Sequence, residues 1–331
     1  MAEVVLRNIC KTFGANKAID DVSMTIPDGA FVVLLGPTGA GKTTTLRLIS
    51  GLEKLSSGSI EIGGRTVNNE TPAQRDVAMV FQQYSLYPHM SVRENLEFPL
   101  RSPILKTPED VIAQQVAEVA EILQISHKLD NKVTELSGGE MQRVSIGRAL
   151  VREPSIYLMD EPLSSLDAKL RNDLRVELKR IQASLGATIL YVTHDQIEAM
   201  TMATHVGVLH EGKLVQFGTP REIYEDPKSI YVASRLGLPR INILPANLFD
   251  TTRNGEHTIG LRPENILQGQ GKPAQIQRVE HLGDQTRLHL MLEGHAITTI
   301  AAAGQDYPAG TTINIEPKNP LFFKADGSRI Y

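Results

Sequence analysis

The residues best suited to chemistry lie between Gly36 and Thr44. Gly36-Pro37-Thr38-Gly39-Ala40-Gly41-Lys42-Thr43 satisfies the pattern G-x-x-x-x-G-K-[ST] in full, with Thr44 next to it. The apolar run Phe31-Val32-Val33-Leu34-Leu35 precedes this loop, and Leu46-Arg47-Leu48-Ile49 opens a helix behind it. A strand, a glycine-rich loop and a helix start in that order predict a cradle for a nucleoside triphosphate. Glycines allow the backbone to curl with its amides pointing inward, and the helix N-terminus adds partial positive charge. Lys42 would then reach the β and γ phosphates, Thr43 would offer its hydroxyl to Mg²⁺, and Thr44 would help hold the α phosphate.

Further chemistry-bearing residues stand at the ends of other apolar runs. Ile156-Tyr157-Leu158-Met159 leads into Asp160-Glu161 and stops before Pro162. Ligands of a parallel sheet sit beyond the carboxyl ends of its strands, where these acids would lie. One carboxylate can hold the Mg²⁺ shell and the next can orient an attacking water. Thr188-Ile189-Leu190-Tyr191-Val192-Thr193 ends at His194, either a structural histidine at a strand-to-helix junction or a donor to the γ phosphate. The strand expected over 76–81 ends in Gln82-Gln83, a polar pair facing a site or solvent. Phe13 lies on the link between strands expected over 4–10 and 20–26, where its ring either stacks on an adenine or joins the core.

The elements that position these groups are legible from periodicity. The helix opened by Lys42 should stop at Gly51, and from about 90 to 150 the pattern turns helical. Ser91 with Glu94, Thr107 with Asp110, and Ser137-Gly138-Gly139-Glu140 read as capping-box starts. Val111, Ile112, Val119, Ala120 and Leu123 are the expected apolar face of the second of these helices. Leu170, Leu174, Leu178, Ile181 and Leu185 mark another helix up to Gly186, and Asp195 with Glu198 a further cap. A hairpin over 206–210 and 213–217 turns at Glu211-Gly212, and helical residues run to about 235. Beyond Pro239, alternating segments such as 285–292 and 311–316 indicate a small all-β domain.

Composition sets the outer limits. With 331 residues and 41 % hydrophobic content, the chain can build one large domain and a smaller one. A net charge of -4 without a basic block gives no sign of a nucleic-acid partner. The single cysteine, Cys10, suits a reducing compartment, and the nine histidines show no metal-ligand spacing. No apolar run approaches a membrane span, and the N-terminus lacks a signal-peptide pattern, so a soluble cytoplasmic protein is expected.

Taken in order, these stretches resemble the ATP-binding subunit of an ABC transporter over the first 235 residues. Gly36 to Thr44 resembles Walker A, Gln82 the Q-loop, and Leu136-Ser137-Gly138-Gly139-Glu140 the family signature. Ile156 to Glu161 resembles Walker B, Ser164-Ser165-Leu166-Asp167 the D-loop, and His194 the H-loop. The resemblance implies an α/β P-loop NTPase core with an antiparallel β subdomain and a helical subdomain at about 88–150. It implies a homodimer with two ATP molecules at its interface, where Ser137, Gly138 and Gly139 of one chain meet the γ phosphate held by the other. On the same pattern Glu161 is the general base, His194 bonds the γ phosphate, Asp160 and Thr43 act through Mg²⁺, and Gln82 senses both metal and γ phosphate. Lys42 assists catalysis, and Asp167 joins the nucleotide-binding set.

The stretch Val80 to Asn95 is similar to importers of the maltose and glycerol-3-phosphate type. Tyr84, Leu86, Tyr87, His89 and Met90 would then line a groove for a helix of one of two membrane permease subunits, which a solute-binding protein serves in turn. Ile259-Gly260-Leu261-Arg262-Pro263-Glu264-Asn265 is similar to the opening of the OB-like, all-β regulatory domain of these importers, here 236–331. The implied function is ATP hydrolysis coupled to uptake of a sugar, polyol or sugar derivative, at the cytoplasmic face of the bacterial inner membrane. The alternative is an ABC-type ATPase of nucleic-acid maintenance or translation. The first class carries a long heptad insert and the second two cassettes, and neither is present. A P-loop kinase lacks the signature. Two residues depart from the family pattern: Glu140 stands where Gln is usual, and Phe13 where Tyr or Trp is common.

Overall fold

A computed structural model describes residues 1–103, 106–249 and 258–331. The chain divides into two compact units, Met1–Pro220 and Arg221–Tyr331.

The first unit is built on a six-stranded sheet in the order Lys213–Gly218, His205–His210, Phe31–Leu35, Ile189–Thr193, Ile156–Asp160, Val77–Val80. All neighbours are parallel except the first pair, a hairpin closed at Glu211-Gly212. Every residue of Phe31–Leu35, Ile156–Asp160 and Ile189–Thr193 is buried, the pattern of strands covered on both faces. Their register is level at the carboxyl ends: Leu35 pairs with Thr193 and Val208, Asp160 with Val192, and Val80 with Met159. The residues that follow these strands therefore emerge along one edge.

A second, antiparallel sheet runs Asn16–Ile26, Val4–Phe13, Ser57–Ile62, Arg65–Thr66. Its inner side chains Leu6, Ile9, Ile26 and Ile60 share one core with Val32, Leu34, Leu158 and Leu190 of the parallel sheet and Leu46 and Ile49 of helix Lys42–Ser50. That helix ends at Gly51, whose φ of 78° is the left-handed stop expected of glycine.

Helices Val92–Glu97, Glu109–Ile122 and Gly138–Leu150 form the region read as helical. Capping boxes at Ser91 and Ser137 are present as expected. Thr107 caps nothing: Pro108 holds the N-cap position without a side-chain bond, since its fixed φ already suits a helix entry. Val111 is 37 % exposed, because the buried face follows Ile112, Val116, Val119 and Leu123 at steps of four, three and four. Leu185 is likewise exposed at the end of helix Ala168–Leu185. Gly147 lets these helices close up, since a Cβ there would stand 2.9 Å from both Leu96 Cδ2 and Leu123 Cδ1.

The first two strands are longer than expected and meet in a tight turn, so Phe13 is the last residue of a strand, paired with Asn16. Asp76, Phe81 and Thr188 fall outside the strands read around them.

The second unit carries two four-stranded antiparallel sheets. One joins Asn242–Pro245, Thr258–Leu261, Leu321–Phe323 and Arg329–Ile330; the other joins His295–Ala302, Gln285–Leu292, Ile266–His281 and Thr312–Pro317. Alternating Leu288, Leu290 and Leu292 pack with Ile259, Ile276, Ile297 and Ile315 in its core. The contact boundary at 220 precedes the one expected at 235. Helix Ile230–Ala233 packs Ala233 on Ile241 and Phe323, and buried Arg262 donates to the carbonyls of Tyr224, Ala233 and Leu236, which ties 224–236 to the β sheets.

Gly147→Val should lower the stability of the full chain in urea by about 1–3 kcal/mol through overpacking, while Gly147→Ala, which needs only flexible side-chain ends to shift, should cost less.

Candidate functional site

The phosphate-type loop is shaped by what surrounds it. A Cβ on Gly36 would lie 2.6 Å from the Leu209 carbonyl oxygen, and one on Gly41 would lie 2.8 Å from that of Ala18. Gly41 also has a φ of 100°, so only glycine takes this path. As N-cap of helix Lys42–Ser50, Gly41 supplies no side-chain bond, which leaves first-turn amides for an anion. Lys42 is 5 % exposed, and its Nζ donates to the Gly36 oxygen at 2.9 Å and the Pro37 oxygen at 3.0 Å. The same ammonium pairs with Glu161 Oε1 at 3.4 Å.

Beside it, Thr43 Oγ1 donates to Asp160 Oδ1 at 2.9 Å. Burial pushes the Asp160 carboxyl above its ordinary value; the Thr43 bond lowers it and the neighbouring Glu161 charge raises it further. Glu161 follows in the left-handed region with a φ of 44°. That turn swings its side chain between Lys42 and His194, whose Nδ1 lies 3.1 Å from Glu161 Oε2. His194, open to two roles in the sequence, is thus a partner of Glu161.

The residues behind His194 fix it. Asp195 caps helix Gln196–Met202 by accepting from the Ile197 amide at 2.7 Å, and its own amide donates to Thr193 Oγ1. Glu198 does not close a capping box. It is buried and accepts a hydrogen bond from the Tyr191 hydroxyl at 2.9 Å, with its pKa raised by burial. A buried tyrosine on the preceding strand competes successfully with the local cap.

A cavity of about 560 Å³ opens over this group, within the range of ligand sites. Of the expected residues, Phe13, Thr38, Gly39, Gly41, Lys42, Thr43, Thr44, Gln82 and Glu161 line it. Phe13 is 45 % exposed, so its ring is not in the core, and Lys11 Nζ sits 4.5 Å from the ring centre. Asn16, Lys17, Ala18, Glu211 and Gly212 also line the cavity and were not anticipated. The signal for the last pair was the hairpin itself, whose strand His205–His210 lies beside Phe31–Leu35. Gly36, Pro37 and Ala40 shape the loop from behind, and Asp160 reaches the site through Thr43.

The signature residues and Asp167 do not line this cavity. Ser137 caps helix Gly138–Leu150, and Asp167 Oδ1 accepts from the Leu170 amide at 3.0 Å as the cap of helix Ala168–Leu185. Gly139 faces Leu170 so closely that any Cβ would collide with it. Tyr84 touches both loops: its hydroxyl lies 3.3 Å from Ser165 Oγ and beside Gly138. Among the described residues no group of three or more His, Cys, Asp or Glu could hold a metal ion alone. A Mg²⁺ ion here would rest on oxygens of Thr43, Asp160, Gln82 and the phosphates, a donor set it commonly takes.

Asp160→Asn should stabilise the nucleotide-free protein near neutral pH, because the native carboxyl titrates above the unfolded one. The sign follows from that raised value. The wild-type contribution is fully present below the unfolded value of about 3.9, and it is lost as pH rises through the native value. Thermal melts should therefore show the advantage of the Asp160→Asn variant growing from about pH 4 upward; an advantage that shrinks with rising pH would contradict the buried-charge account.

The ABC transporter family profile matches residues 19–164, and a TOBE domain profile, an OB-like all-β module, matches 259–319. The sn-glycerol-3-phosphate import ATP-binding protein of Brucella abortus (strain 2308) is 45 % identical over 100 % of this chain and 99 % of its own. Its counterpart in Rhizobium meliloti (strain 1021) is 50 % identical over 80 % and 78 %. Among solved structures, the ADP conformation of an ATP-binding cassette of an ABC transporter superposes with a TM-score of 0.62 at 29 % identity, covering 70 % of this chain and 98 % of that one. A dimeric structure of a bacterial ABC transporter cassette gives 0.60 at 30 %, covering 66 % and 99 %.

Proposed function

The chain belongs to the ABC transporter family of import ATP-binding subunits, and from that premise we propose that it hydrolyses ATP as a homodimer to drive uptake of sn-glycerol-3-phosphate or a close sugar phosphate. The observation that supports this most is the contact chain Lys42–Glu161–His194, whose first two members line the cavity walled by the glycine loop. In this reading the adenine stacks on Phe13 and the phosphates occupy the loop from Gly36 to Thr44. Lys42 exchanges the Gly36 and Pro37 carbonyl oxygens for β and γ phosphate oxygens, a better charge match.

Thr43, Asp160 and Gln82 would hold a Mg²⁺ ion, which would neutralise charge on the phosphates. Glu161 accepts the proton of the attacking water. His194 meets Glu161 through one ring nitrogen and turns the other to the γ phosphate. Ser137, Gly138, Gly139 and Asp167 serve the ATP of a second copy. Two features support this assignment: these residues line no part of the cavity of their own chain, and a related cassette forms a dimer.

The membrane permease subunits dock at Tyr84, Leu86, Tyr87, His89 and Met90. This loop is held rigid from below. Asn95 bonds the Tyr87 amide and carbonyl, Arg148 donates to the Ser85 carbonyl at 2.6 Å, and Phe98 packs on the Tyr87 ring. No helix among the described residues is long and apolar enough to cross a membrane, which fits a peripheral subunit at the cytoplasmic face of the inner membrane. Residues 1–220 act as the ATPase domain, and the β-rich unit from 221 to 331 as its regulatory domain.

Glu161→Gln in the assembled transporter should keep ATP binding, arrest a closed dimer and lower turnover by roughly 10²–10⁴-fold; near-normal hydrolysis would remove Glu161 as the base. For the solute, ATP turnover of the transporter in vesicles should rise when its solute-binding protein is supplied with sn-glycerol-3-phosphate and not with maltose. Stimulation by maltose alone would reassign the substrate.

A further inference from the structure

We propose that Lys128 is a positioning residue for ATP hydrolysis: it neutralises Glu140, so that the signature helix can meet a polyphosphate although its first turn carries a carboxylate. The proposal rests on the reading that Ser137, Gly138 and Gly139 serve the ATP of a second copy.

The geometry is specific. Glu140 Oε2 accepts from both the Ser137 amide and the Ser137 hydroxyl at 2.8 Å, and Oε1 pairs with Lys128 Nζ at 3.2 Å. Both carboxylate oxygens are thereby turned back onto their own chain. These contacts hold the Glu140 carboxyl below its usual range, with the Ser137 amide the largest cause and Lys128 a further one. A glutamine at this position would close the same capping box, since its side-chain oxygen also accepts, but it would leave Lys128 without a charge partner.

The ammonium comes from a separate element. Lys128 ends the helical turn Ser126–Lys128, tied to helix Glu109–Ile122 by the bond from the Ile125 amide to the Ala120 oxygen at 2.8 Å. It is therefore held against Glu140 by the packing of the helical region. An unpaired carboxylate at a helix start favours that helix but repels an incoming polyanion. With Lys128 in place the pair is neutral, and the amides of the first turn keep their attraction for phosphate.

ATP turnover of the assembled transporter against ATP concentration tests this in a double-mutant cycle. Lys128→Ala should raise KM about 5–10-fold with kcat changed by less than about twofold, and Lys128→Arg should restore KM. In a Glu140→Gln background the same Lys128→Ala change should raise KM by less than about twofold, because no charge is left to neutralise. An equal rise in both backgrounds, or a fall in kcat without a rise in KM, would make Lys128 merely structural and overturn the proposal. Ser137→Arg tests the premise separately. ATP-driven dimerisation that survives it would show that the signature does not meet the second copy's ATP, and the role of Lys128 would fall with it.

Discussion

The site depends on the register of the parallel strands. Phe31–Leu35, Ile189–Thr193 and Ile156–Asp160 are buried on both faces, so a slip of one residue would drive every side chain into the wrong layer. Level pairing of Leu35 with Thr193, and of Asp160 with Val192, brings Gly36, Glu161 and His194 to one edge. Thr43 and Asp160 are 117 positions apart in the chain and meet at hydrogen-bond distance only because of it. The same edge collects Gly212 through the strand beside Phe31–Leu35 and Gln82 through Val77–Val80.

What gathers at that edge is a set of charges that need one another. An almost fully buried ammonium is costly unless paired and hydrogen-bonded, and Lys42 has two carbonyl oxygens and Glu161 as partners. Asp160 is worse placed. Its hydrogen bond from Thr43 comes from a neutral group, and the nearby Glu161 adds repulsion, so burial dominates its titration. A divalent cation beside Thr43 would relieve that imbalance. The constraint that stabilises the sheet thus leaves an unbalanced charge at Asp160 that a divalent cation would offset.

The sequence was most legible where one physical cause dominates. The strand Phe31–Leu35, helix Lys42–Ser50 with its Gly51 stop, and the boxes at Ser91 and Ser137 follow from apolar runs, glycine conformation and cap chemistry. It was misleading where a distant partner competes with a local one. Glu198 has the spacing of a cap and instead serves Tyr191, while Val111 lies beside the buried stripe without belonging to it. The hairpin turn at Glu211-Gly212 was legible, but not its place, nor that of Asn16 to Ala18, at the cavity. Their place depends on which strands become neighbours, and no residue pattern within either hairpin encodes that.

The signature helix and the Asp167 loop are packed against each other. The Leu170 side chain occupies the space where a Gly139 Cβ would stand, so a larger residue there would displace it, and Leu170 is also the residue whose amide Asp167 caps. Displacing either loop alone would break that packing or that cap. The capping box at Ser137 satisfies the amide of Glu140 and leaves those of Gly138 and Gly139, the first helical positions, as donors. Tyr84, at the head of the proposed docking loop, lies against Gly138 on one side and bonds Ser165 on the other. Tyr84 thus links the proposed docking loop to both the signature helix and the Asp167 loop through one side chain.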